Sequence, residues 1–196
     1  TNLFEGALLV VAVLFLLLGN FTAALIVTLV IPLSMLFAIS GMVQNKISAN
    51  LLSLGAIDFG IIVDGAVVMV ENMLRRLAER QREQGRVLDV HERLRVALTS
   101  ATEVARPTLF GVGIIMVVYL PILALTGIEG KMFRPMAGVV LLALGGALIF
   151  TFTFVPAMVA LLLRGRVAES EGPILGAAGR VYDPALRMVL RRRGWV

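Results

Sequence analysis

Apolar residues run along this chain in long blocks, separated by short polar stretches. One block covers 3–18 and stops at Gly19-Asn20. A second covers 23–43 and contains Pro32, and a polar connector at 44–50 leads to a third at 51–74. Two more follow, 108–125 with Pro121 near its far end, and 135–163. Blocks of roughly 18 residues or more are what roughly 30 Å of hydrocarbon requires. Inside a bilayer the backbone must satisfy its own hydrogen bonds, so such blocks are read as helices, and Pro32 is tolerated where neighbouring groups meet the freed carbonyl. The pattern predicts an all-α, polytopic transmembrane bundle of about five spans, three within 1–74 and two within 107–163.

The stretch 75–106 breaks the apolar pattern. It holds Arg75, Arg76, Arg80, Arg82, Arg86, Arg93, Arg95 and Arg106, interleaved with five acids. Leu77, Val87, Leu88, Val90 and Leu94 give it an amphipathic helical texture, so a cytoplasmic amphipathic loop at the headgroup level is expected. Residues 164–196 are also basic and are broken by Gly172-Pro173 and Asp183-Pro184. Asp183 as cap and Pro184 in the first turn mark a helix start, and Arg191-Arg192-Arg193-Gly194-Trp195-Val196 reads as the approach to a further span. The first block lacks the basic n-region and cleavage site of a signal peptide. A fragment of a longer chain is expected, with a complete five-span protein as the alternative.

Composition agrees with the pattern. The 196 residues are 59% hydrophobic and 16% charged, against about 45–50% and about 25% in soluble domains. There is no Cys and one His, His91, so disulfides, thiolate metal sites and a His/Cys zinc cage are excluded within this stretch. Nothing calls for a cofactor or a resident metal. Fifteen of the 18 Lys and Arg residues lie in 75–106 and 164–196, which two spans place on the same side, while Lys46, Lys131 and Arg134 lie opposite. The positive-inside rule makes the basic side cytoplasmic. Basic residues beside spans, without interleaved aromatics, give no reason to expect nucleic acid.

The chemistry concentrates in the third block, where Asp58, Asp64 and Glu71 share one apolar helix. At about 100° per residue Asp64 and Glu71 fall on one face two turns apart, and Asp58 lies about 240° from Asp64. The three span about 20 Å of rise, a ladder rather than a compact metal cage. An ionised Asp at the centre of a span costs about 2.5–3.5 kcal/mol on insertion scales and is by default functional. Burial favours the protonated form, which lets a carboxyl group load and release a proton. The plainer readings are a packing role for Asp58 and Asp64 and an i,i+4 ion pair of Glu71 with Arg75. Gly55, Gly60 and Gly65 recur every five residues and read chiefly as close helix packing beside the acids. Met69 reads as core filler rather than a soft-metal ligand. Asp58-Phe59-Gly60 spells a kinase triplet without the rest of the kinase pattern. Two aspartates six residues apart on one helix do not make a protease dyad, and no enzyme is expected.

Asp58-Phe59-Gly60, Asp64-Gly65-Ala66 and Val70-Glu71-Asn72, each separated by three residues, resemble the signature of heavy-metal efflux pumps in the resistance-nodulation-division superfamily, most of all the cobalt–zinc–cadmium branch. Phe15-Leu16-Leu17-Leu18-Gly19-Asn20 and Gly130-Lys131-Met132-Phe133-Arg134-Pro135 agree with it. The resemblance covers essentially the whole chain, as spans two to six of the amino-terminal half and the following cytoplasmic helix. It implies an inner-membrane homotrimer that exchanges protons for metal ions and docks to a periplasmic adaptor and an outer-membrane channel. Asp64 then matches the principal proton-relay carboxylate, with Asp58 and Glu71 as accompanying acids. The copper–silver branch has Asp-Ala-Ala at the relay and Met two residues before it; Gly65 and Ile62 stand there in this chain. That departure favours divalent cations as substrate. Export of amphiphilic drugs, or a non-transporting structural subunit, are the alternatives.

Overall fold

The apolar blocks become helices that run beyond the limits the pattern gave them. The structure is a computed structural model and describes residues 9, 12–16, 18–47, 59–163 and 165. Four long helices account for most of these: α1 Phe21–Gln44, α2 Phe59–Gln84, α3 Val90–Leu123 and α4 Gly127–Leu162. Residues 12–16 are helical too, and there is no strand among the described residues. The fold is an all-α bundle. Asp58, Gly55, most of 3–18 and nearly all of 164–196 lie outside the described residues.

Local chemistry fixes the breaks. Asn20 caps α1, its Oδ1 accepting from the Thr22 and Ala23 amides at 3.0 and 3.2 Å, which offsets two of the orphan donors of a helix start. α1, α3 and α4 are each long and apolar enough to cross a membrane. α2 begins in the apolar block and ends in the charged one. It passes Leu74 without a break and stops at Gly85, whose φ of 65° only a residue without Cβ adopts readily. α3 starts five residues later, and the Asp89 amide donates to the Glu92 carboxylate at 2.9 Å, one arm of a capping box.

Residues 75–106 are therefore two helical arms, continuing the spans on either side and closed by a short turn. Good helix formers and the i,i+3 pairs Arg76–Glu79 (3.1 Å) and Arg80–Glu83 (2.9 Å) support the first arm. A buried stripe of Leu77, Ala78, Leu88, Ala97 and Ala101 joins the arms. At the other end α4 starts at Gly127, ahead of Pro135, since an interior proline removes only its own bond to the carbonyl four residues back.

α2 and α4 touch each other and both of the other helices. Where α1 meets α4, a Cβ on Gly146 would sit 2.8 Å from Phe37 and one on Gly41 2.9 Å from Leu142. Phe37 in turn meets Phe150 edge-on at 6.4 Å. Such close approach is how helices adhere in lipid, where apolar side chains gain nothing by leaving the solvent. Two polar side chains of the arms hold the end of α4: Arg93 Nη1 donates to the Leu163 carbonyl at 2.6 Å, and Gln81 Nε2 to Gly165 at 3.1 Å. The far half of α3 is the least covered part, with Phe110, Ile114, Val117 and Val118 exposed.

Candidate functional site: a groove beside Asp64

The buried side of α2 consists of Ile62, Val63, Ala66, Met69, Val70 and Met73. Helical geometry leaves Gly60, Asp64, Val68, Glu71 and Arg75 on the opposite stripe, and all five are exposed. Asp64 and Glu71 thus share one face. Asp64 lies on the rim of an open groove, because the core-facing stripe passes it by. Ile61, Asp64, Gly65 and Val68 form one wall of this groove; Pro107, Thr108, Gly111, Val112 and Ile115 of α3 form the other. Its volume is about 290 Å³, room for several waters or for part of another helix.

Asp64 has no hydrogen bond or ion pair among the described residues. Nor does Glu71 pair with Arg75: the Arg75 guanidinium instead donates to Asn72 Oδ1 at 3.2 Å. At Gly65 α2 lies close to α3, since a Cβ there would be 3.0 Å from Thr108 Cγ2 and 4.0 Å from Thr151 of α4. Met69 is fully enclosed in the apolar core. Among the described residues no three His, Cys, Asp or Glu side chains gather as a metal cage.

Sequence reasoning gave Asn72 no role, yet it is the polar joint between the arms. Its Nδ2 donates to the Ser100 carbonyl and to Glu103 Oε2, both at 3.1 Å, and the residue is only 9% exposed. Arg76 grips the same carboxylate with two donors, at 2.8 and 3.1 Å. The third triplet of the signature contains Asn72, but its partners lie 28 and 31 residues away. A larger cavity of about 460 Å³ lies between the arms. Its arginines and glutamates largely neutralise one another through the Arg76–Glu103 and Arg80–Glu83 pairs. At the turn, the Arg86 guanidinium, and after it the Asp89 amide, hold the Glu92 carboxyl below the usual carboxylate range.

Known proteins resemble this chain in sequence and fold. Residues 1–196 match the AcrB/AcrD/AcrF family. The chain is 59% identical over 189 residues to the cobalt-zinc-cadmium resistance protein CzcA of Cupriavidus metallidurans, covering 96% of this chain and 18% of that protein. It is 57% identical over 192 residues to protein HelA of Legionella pneumophila, covering 98% and 18%. A crystal structure described as a heavy metal efflux pump, crystal form II, superposes with a TM-score of 0.71 at 42% identity, over 95% of this chain and 17% of that one. The chain thus spans less than a fifth of the length of these relatives.

Proposed function

Because this chain belongs to the AcrB/AcrD/AcrF family of resistance-nodulation-division transporters, among its heavy-metal efflux members, we propose that it forms part of the proton-coupling unit of an inner-membrane antiporter exporting divalent cations. The observation that carries this reading is Asp64, a carboxylate without a side-chain partner among the described residues, set in a groove between apolar helices. About 16 Å of helix rise separates it from Arg75, roughly half the hydrocarbon thickness. A carboxyl group at that depth is stabilised by taking up a proton or by meeting a cation, and alternation between the two is what proton coupling requires. Each proton moved down a potential of about 100 mV contributes about 2.3 kcal/mol.

In this proposal Asp64 is the principal carrier. Glu71, two turns nearer the arms on the same stripe, and Asp58 accompany it. The arms face the cytoplasm by the placement of the arginines. A homotrimer with a periplasmic adaptor and an outer-membrane channel belongs to the same reading, as does the absence of any enzymatic step. The divalent preference rests on Ile62 and Gly65, and on the name of the CzcA relative, which links that protein to cobalt, zinc and cadmium. The test is Asp64→Asn in the full-length protein, assayed for metal tolerance in cells and for metal-driven proton flux in vesicles. Both are expected to be lost while the protein still reaches the membrane. Unchanged export would leave the acids with a packing role and refute the proposal.

A further inference from the structure

We propose that Gly65 and Thr108 are positioning residues for Asp64: their contact sets the separation of α2 and α3, and with it the width of the groove into which the carboxyl group opens. The inference rests on the proton-relay reading of Asp64 and adds what holds that carboxylate in place. A Cβ at position 65 would lie 3.0 Å from Thr108 Cγ2, while the next atoms, on Thr151, are at 4.0 Å. Only the Thr108 methyl group stands in the way.

Thr108 has little room to swing aside. A threonine in a helix is held chiefly to two χ1 rotamers, and Thr108 is only 9% exposed. The few tenths of an ångström of relief come most readily from the backbone of α3, which has a weak point there. Pro107 has no amide hydrogen, so the carbonyl four residues earlier loses its helical partner and the helix bends most easily at this level. The near half of α3 is tied to α2 through Asn72, Arg76 and Glu103. The far half, carrying Gly111, Val112 and Ile115 of the groove wall, has no such hydrogen-bonded tie to α2 among the described residues, so an added methyl group at 65 displaces that wall.

Among the described residues, charges nearby do not supply an alternative control. On α2 the next ionisable group in the described chain is Glu71, two turns away and exposed. On α3 it is Arg106, exposed and roughly 180° around the helix from the groove-lining face. The parts of α1 and α4 packed at this level have no charged residue.

The experiment uses the full-length transporter with Gly65→Ala, Gly65→Ala/Thr108→Ser and Asp64→Asn, reading zinc export and the pH profile of zinc-driven proton flux at matched membrane levels. Gly65→Ala is expected to lower the rate about tenfold and to move the pH midpoint. Serine at 108 removes Cγ2 but keeps the hydroxyl, so the double variant is expected to regain most of the rate and the original midpoint. A normal rate and profile for Gly65→Ala overturns the proposal, and so does a loss that Thr108→Ser fails to restore. If Asp64→Asn exports normally, the relay itself is wrong; if it is inactive while Gly65→Ala is normal, only the positioning role fails.

Discussion

Replacing Asn72 with alanine should loosen the two arms while leaving the rest of the bundle unchanged. The side chain is 9% exposed and makes two donations across the helix pair, to the Ser100 carbonyl and to the Glu103 carboxylate. A buried neutral hydrogen bond contributes about 1 kcal/mol net, and one to a charged group about 1.5–3 kcal/mol. Against this, Glu103 keeps both donors of Arg76, and the Ser100 carbonyl keeps its place in the α3 ladder, so neither acceptor is stranded. The expected net loss is about 2 kcal/mol, which corresponds to roughly 30-fold faster local opening. Hydrogen exchange followed by mass spectrometry on the full-length protein in nanodiscs would read it. Peptides from 85–104 should exchange faster by that factor, and peptides from 136–150 in α4 should not change. An acceleration below about threefold in the arms, or an equal one in α4, would refute the assignment of Asn72 as their joint.

Two further outcomes follow from the same region. Arg93 is 4% exposed and donates to Leu163, but its Nε has no partner among the described residues; Arg93→Met should therefore shift stability by less than about 1 kcal/mol, because the lost bond and the removed unpaired donor offset, whereas Arg93→Ala, which also leaves a void, should cost about 2–4 kcal/mol. Thermal unfolding in detergent distinguishes the two, and equal melting points for both variants would contradict this account. The Glu92 carboxyl is held low by Arg86 and by the Asp89 amide; its contribution to the turn is present above the ordinary carboxylate pKa of about 4.3 and is lost as the pH falls through the lowered folded value. Exchange at 85–92, corrected for intrinsic rates, should thus accelerate in acid in the native protein and be flat in Glu92→Gln.

The sequence made the spans legible because apolar length is a strong constraint in lipid. It also put Asp64 and Glu71 on one face, since seven residues are close to two turns. Which stripe of that helix packs against its neighbours was not readable, and Ile62, Ala66, Met69 and Val70 take that place. The arms were half legible. Their amphipathic texture was visible, but the pattern cannot tell a helix lying along the headgroups from one continuing a span; Gly85 and the Asp89–Glu92 cap decide that. Asn72, Thr108 and Arg93 had no readable role, because each acts on a residue 28 to 70 positions away in the chain or, for Thr108, on a neighbour with no side chain at all.

Pro107 divides α3 into halves with different attachments, and this bears on how a small change at one carboxyl group spreads. The near half is bound to α2 by Asn72, Arg76 and Glu103, so any tilt of α2 carries it along. The far half meets α2 closely at Gly65–Thr108, has Val112 beside Leu144, Ala147 and Thr151 of α4, and shows an exposed apolar face elsewhere. In the proposed relay, proton uptake at Asp64 would remove a charge from the groove between them, and with it the need for water or a cation in that space. The helix that responds most readily is the one least tied down, which is the far half of α3, hinged where proline has removed a backbone bond. α2 cannot yield in the same way, because its other stripe is locked into the core by Met69, Val70, Met73 and Leu77, all fully buried. In that proposal the α3 wall, rather than the carboxylate helix, is the part of this chain expected to follow the ionisation of Asp64.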